Sequence, residues 1–247
     1  AIDDVADNAG LSPAEKIFRL EAFARAVSEP GHDQPGLEKA TRLRISLAET
    51  GVPVQHALDL IAAFKQDAIK RRYADWGELM AYCQLSASPV GRYLVDLHGE
   101  SRACYPSSDA LCNALQVLNH LQDCQDDYRR LDRVYLPQDW LAEAGIGVDA
   151  LDAPRAAPAL RRVLDRCLDG VDALVRAARP LSRHIRNRRF AMEAAVIFRI
   201  AERLAAELRR RDPLAERVVL SKPAFLACGL RGVLDAWSGG RPVRPAG

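Results

Sequence analysis

Two aspartate pairs at four-residue spacing carry the strongest chemical signal in this chain of 247 residues: Asp3 with Asp7 in AIDDVADNAG, and Asp123 with Asp127 in LQVLNHLQDCQDDYRR. On a helix, residues four apart lie about 40° apart around the axis and roughly 6 Å apart along it, so each pair presents two carboxylates on one face. Two such faces turned toward each other form an all-oxygen cage. Mg²⁺ prefers that donor type and completes its shell with water and substrate phosphates. The spacing points to a diphosphate held by metal ions inside a helical bundle.

The second pair belongs to a longer polar stripe. Gln116, Asn119, Asp123 and Asp127 follow steps of three or four residues and share one helix face. A solvated surface would accept the same stripe, and a pair so close to the chain start would also suit a helix cap. Two further segments hold residues able to act on a phosphate or a cation: Tyr82 and Arg92 in YCQLSASPVGR, and Arg133 and Tyr135 in RVYLP.

Helices must position these groups, because strand signals are nearly absent. Ser12-Pro13-Ala14-Glu15 combines an N-cap, a proline at the first helical position and a capping-box glutamate, and predicts a helix that stops near Pro30-Gly31. A second helical stretch from about Leu37 should end before Gly51, and another should follow Pro53, with Ala57, Leu58, Ile61 and Phe64 at helical spacing. Asp75-Trp76-Gly77-Glu78 repeats the start signal and leads into a run where Pro89 predicts a kink. A long helix is expected from Ser107 or Ser108 to about Tyr128, with later helices near 155–178, 188–211 and 223–237. The expectation is an all-α, single-domain bundle over residues 1–238 and a disordered Gly/Pro-rich tail at 239–247.

Composition excludes several classes. With 35 Lys+Arg against 33 Asp+Glu the net charge is +2, which makes no case for a nucleic-acid partner. The basic runs at 179–189 and 209–211 suit helix ends and loops, with peripheral contact to phospholipid headgroups as the alternative. Six cysteines are scattered without a C-x-x-C pair and the histidines lack zinc-like spacing, so they are read as reduced thiols of a cytoplasmic protein. No stretch of about 18 residues is free of charge, so none predicts a bilayer span. The chain opens at Ala1 without a methionine and enters a carboxylate motif at once, which suggests a fragment or a trimmed product.

DDVAD at 3–7, YCQLSASPVGR at 82–92, ALQVLNHLQDCQDD at 114–127 and RVYLP at 133–137 occur together in an order that resembles the squalene/phytoene synthase family. The likeness spans essentially the whole chain and implies an isoprenoid synthase-type helical bundle with a central apolar cavity. Ser86-Ala87-Ser88-Pro89-Val90-Gly91-Arg92 and Leu121-Gln122-Asp123 are similar to the hydroxysqualene synthase subgroup of bacterial hopanoid pathways. That subgroup typically carries asparagine where Ser88 stands. Family members also carry residues ahead of the first acidic motif, which makes this chain look N-terminally truncated and, as a fragment, weakly active or inactive.

The resemblance implies presqualene diphosphate as substrate, ionised by Mg²⁺ (two or three ions with the diphosphate) and quenched by water. It assigns Asp3, Asp7, Asp123 and Asp127 to the metal, with Gln116 and Asn119 orienting its shell or the diphosphate. Arg92 and Arg133 become candidates for the departing diphosphate, because a guanidinium donates two parallel hydrogen bonds to phosphate oxygens; a structural ion pair is the alternative for each. Tyr82 is expected near the reacting carbons, its ring face toward a cation, with Tyr135 a further candidate. AMEAAVIFRIAERLAAEL can wall an apolar tunnel, as it can any helical core. No G-x-G-x-x-G phosphate loop is present, which argues against NADPH. Condensation of two prenyl diphosphates, chain elongation from a D-D-x-x-D motif, and a non-catalytic scaffold role remain the alternatives. Peripheral contact with the inner membrane face is compatible with all of them.

Overall fold

The computed structural model describes residues 2–6, 8, 10–32 and 34–238. Asp7, the side chain of Asp3 and the 239–247 tail lie outside the described residues, and so do the expectations placed on them. Thirteen α-helices are present among the described residues: α1 (Ile2–Ala6), α2 (Pro13–Ser28), α3 (Glu38–Thr50), α4 (Gln55–Ile69), α5 (Trp76–Ser86), α6 (Ser88–Leu97), α7 (Tyr105–Gln122), α8 (Cys124–Leu131), α9 (Gln138–Glu143), α10 (Pro158–Ala178), α11 (Leu181–His184), α12 (Arg188–Arg210) and α13 (Lys222–Ser238). The described residues hold no strand, only an isolated parallel bridge between Arg72 and Val134. None of their helices is long and apolar enough to cross a membrane.

The local signals form as expected at several ends. The Ser12 side chain accepts from the Glu15 backbone while Glu15 reaches back to the Ser12 amide, which satisfies two donors that helix geometry leaves without partners. Asp75 caps α5 by accepting from the Glu78 amide. Gly51 ends α3 in the left-handed region, which glycine enters without a Cβ clash.

Two expectations need correction. The kink foreseen at Pro89 is a full break: α5 stops at Ser86, Ala87 adopts φ −127° and ψ −49°, and Pro89 sits in the first turn of a new helix. At that position its missing N–H costs nothing, because a first-turn donor has no helical partner anyway. Ser88, wholly buried just after the break, donates to Asn113 Oδ1 at 2.9 Å and ties α6 to α7. The second correction concerns the long acidic helix, which bends at Asp123 (φ −105°, ψ 9°) and continues as α8. Hydrogen bonds from the Asp123 amide to Asn119 O and from the Asp127 amide to Asp123 O carry the helical register through the bend.

α7 is the central helix, packed by α5, α6, α10 and α12. Leu111, Ala114, Val117, Leu118 and Leu121 are buried at helical spacing, and each fully buried leucine contributes roughly 1.5–3 kcal/mol. α10 supplies a matching stripe from Leu160 to Val175. Gly91 permits α6 to approach α7 closely: a Cβ there would lie 2.3 Å from Ser108 Oγ and 2.7 Å from Cys112 Sγ. α4 packs against α1, α2, α5 and α6, so its C-terminal half faces the same interior as the α7 polar stripe.

Candidate active site

The polar stripe of α7 and α8 lines a solvent-accessible cavity, with Asn119 exposed and Gln116, Asp123 and Asp127 half-buried. Gln116, Asn119, Asp123 and Asp127 all line one cavity of about 330 Å³, at the lower end of the range for small-molecule sites. α4 contributes Leu60, Phe64 and Asp67 to its wall, and α5 contributes Tyr82 and Ser86. Beyond α8 the chain turns at Asp132, a non-glycine residue at φ 51°, and returns Arg133 and Tyr135 to the same cavity. That return is pinned from outside: the Val134 amide donates to Arg71 O at 2.9 Å, and Arg72 pairs with Asp132 at 2.5 Å.

Asp67 organises this wall. Its carboxylate accepts from the Tyr82 hydroxyl at 2.7 Å and from the Tyr135 hydroxyl at 3.4 Å, and stands 3.8 Å from Arg133 Nε. The Arg133 guanidinium also donates to Asp67 O at 3.0 Å. The Asp67 and Arg133 side chains are only 7% and 10% exposed, so charge here is screened little by water. Burial first, and the Asp67 carboxylate second, push both tyrosine pKa values well above the ordinary range, so both remain phenols and hydrogen-bond donors.

Aromatic rings close the other side. The His120 ring stacks on Tyr135 with centroids 3.5 Å apart and planes 14° apart, and Tyr82 lies 5.6 Å from Tyr135. Burial, helped by the Arg133 charge, lowers the His120 pKa to about 3 and keeps the ring neutral. A cluster of neutral rings around a cavity suits a developing carbocation, which an aromatic face attracts and an imidazolium would repel. Asp123 and Asp127, beside the amide oxygens of Gln116 and Asn119, form a donor set of hard oxygens that fits Mg²⁺. The described residues supply only this half of the expected carboxylate set. Asp123 and Asp127 also border a second cavity of about 290 Å³ shared with Asp126, Arg130 and Arg217.

Seven of the residues singled out in the sequence thus converge: Tyr82, Gln116, Asn119, Asp123, Asp127, Arg133 and Tyr135. Arg92 does not line this cavity and takes up the structural ion pair that was its alternative. Its guanidinium is held by the Asp109 carboxylate through Nε at 2.9 Å and Nη2 at 2.5 Å, and its charge is spent on an α6–α7 tie. Asp67, Ser86 and His120 were not anticipated. Asp67 had a legible signal, since Leu60, Phe64 and Asp67 fall at i, i+4 and i+7, and a carboxylate in an apolar stripe is rarely idle. The expected apolar tunnel is not this cavity, whose wall mixes carboxylates, amides and hydroxyls with leucine and phenylalanine.

The model of the family described as squalene/phytoene synthase matches residues 1–224. The hydroxysqualene synthase of Rhodopseudomonas palustris is 44% identical over 224 residues, spanning 91% of this chain and 76% of the relative. That of Sinorhizobium fredii is 39% identical over 228 residues, spanning 92% and 77%. The crystal structure of the squalene synthase HpnC from Alicyclobacillus acidocaldarius superposes with a TM-score of 0.73 at 30% identity, over 85% of this chain and 78% of that one.

Proposed function

Because the chain belongs to the squalene/phytoene synthase family and is an isoprenoid synthase enzyme, we propose that it ionises presqualene diphosphate and captures the rearranged cation with water, releasing hydroxysqualene and diphosphate. The observation that carries this reading is the convergence of the α7–α8 carboxylates, the Asp67–Arg133 pair and a neutral aromatic wall on one cavity. Relatives named hydroxysqualene synthase point the same way.

Asp123 and Asp127, with Asp3 and Asp7 of the first acidic motif, would hold Mg²⁺, which when bound supplies Lewis-acid neutralisation of the leaving group. The residues of this chain do the rest. Gln116 and Asn119 orient the diphosphate by amide donors, and Arg133 offers its guanidinium to the leaving oxygens. Tyr82, with its hydroxyl turned to Asp67, presents its ring to the cation, and Tyr135, stacked on His120 and Tyr73, holds that wall in place. The C–O bond to diphosphate breaks, the carbon skeleton rearranges, water forms a new C–O bond, and the released proton passes to diphosphate. No hydride donor enters that balance.

Peripheral membrane contact belongs to the same reading, since both substrate and product are lipids. Leu226, Leu230, Leu234 and Trp237 are exposed along one face of α13, flanked by exposed Lys222 and Arg231. An apolar stripe with a tryptophan and basic neighbours suits a lipid interface.

Feeding presqualene diphosphate, with and without NADPH, and identifying products by mass spectrometry tests the proposal. A hydroxylated alcohol as sole product, indifferent to NADPH, is expected. Turnover of farnesyl diphosphate with none of presqualene diphosphate would replace the reading with head-to-head condensation.

A further inference from the structure

Two polar atoms in the wall of the active-site cavity are left without a hydrogen-bond partner among the described residues: Ser86 Oγ and His120 Nε2. Native proteins rarely tolerate such orphans, and each calls for an account. Two in the wall of one cavity point to a small polar ligand that satisfies both. They come from different elements, Ser86 from the last turn of α5 and His120 from α7, and these helices pack directly on each other.

The tyrosine hydroxyls of this wall are engaged. The Tyr82 and Tyr135 hydroxyls donate to Asp67, and Arg133 is held by the same residue. The Tyr82 hydroxyl is therefore committed to Asp67. His120 is only 8% exposed, and its stacking on Tyr135 holds the ring in one plane. With the ring proton on Nδ1, its Nε2 is a hydrogen-bond acceptor without a partner among the described residues.

Resting on the reaction proposed above, we propose that Ser86 and His120 together seat the water that captures the rearranged cation, and so decide between a hydroxylated and a dehydrated product. Both atoms can accept. Water donating one hydrogen to Ser86 Oγ and the other to His120 Nε2, in the tautomer protonated on Nδ1, keeps its oxygen lone pairs free for carbon. The oxygen forms the new C–O bond and the oxonium proton leaves to the released diphosphate. Ser86 and His120 are unchanged at the end, so they act as positioning residues. Without an oriented water, the same cation loses a proton from a neighbouring carbon to diphosphate and yields a hydrocarbon with one more double bond.

The test compares wild type with Ser86→Ala, His120→Phe and His120→Gln, each fed presqualene diphosphate, with the ratio of hydroxylated to dehydrated product normalised to diphosphate released. His120→Phe keeps the stacked ring and removes both nitrogens. Ser86→Ala removes one hydroxyl and carries the test should His120→Phe fail to fold. Loss of one hydrogen bond to the water is expected to lower the ratio about tenfold in either variant. His120→Gln, which restores an acceptor, should recover part of it. A wild type making hydroxylated product while Ser86→Ala and every folded His120 variant keep its ratio overturns the water seat alone. A wild type making no hydroxylated product overturns the reaction and the water seat with it.

Discussion

The Tyr82 hydroxyl donates to Asp67 Oδ2 at 2.7 Å, and through that carboxylate α5 is joined to Arg133 and Tyr135 on a segment more than sixty residues beyond Asp67. Asp67→Asn should therefore act on the whole wall. It keeps the volume and removes the negative charge beside the Arg133 guanidinium. Breaking a buried pair of this kind costs about 3 kcal/mol, the lower end of the usual range, because the 3.8 Å contact is long. Urea denaturation measures it, and an unchanged midpoint would show the pair to be incidental.

Asp123→Ala and Asp127→Ala should behave in the opposite way. The Asp123 side chain is 42% exposed, so its removal should change stability by no more than about 0.5 kcal/mol. Activity should fall at least about a hundredfold, the equivalent of roughly 3 kcal/mol of transition-state stabilisation. Calorimetric binding of a diphosphate analogue should require Mg²⁺ in the wild type and vanish in both variants. Retained Mg²⁺-dependent binding would remove the carboxylates from the metal site.

Arg92→Gln separates the place the structure assigns that residue from the one its motif suggested. Its loss leaves the Asp109 carboxylate, 12% exposed, without its bidentate partner, at a cost of about 2 kcal/mol. The KM for substrate should move by less than about threefold, because the guanidinium does not line the cavity. A large rise in KM with unchanged stability would return Arg92 to the diphosphate.

Acid should weaken the fold through His120. Its pKa is lowered to about 3 in the folded chain from 6.5, by burial and by Arg133, with Tyr82 and Tyr135 the rings that face it. The unfolded chain therefore takes up the proton first as pH falls. Stability is full above about 6.5 and is lost as pH falls toward 3, by up to about 1.4 kcal/mol per pH unit. Chemical denaturation between these limits should show that slope, and His120→Phe should flatten it.

The apolar face of α13 predicts binding to lipid. Leu230→Glu places a charge in the middle of an exposed stripe without touching the core. Flotation with anionic vesicles should retain the wild type and release the variant, while product formation from detergent-dispersed substrate stays. Equal flotation of both proteins would exclude this face.

Where the cause is local, residue order alone sufficed. The capping box at Ser12, the Asp75 cap and the four-residue step from Asp123 to Asp127 follow from hydrogen bonds or helical spacing within one turn, so they could be read from neighbouring letters. Family-like motifs added that the acidic stripe lines a site cavity, which periodicity left open. Folding in three dimensions decided the rest. Arg92 meets Asp109 seventeen residues away, Tyr135 meets Asp67 across sixty-eight, and Ser86 and His120 come to one wall from different helices. Such pairs form only after α4, α5 and α7 pack and the Arg72–Val134 bridge pins the returning strand of chain. Their free energy depends on burial shared among distant elements, and no local pattern of side chains encodes that sharing.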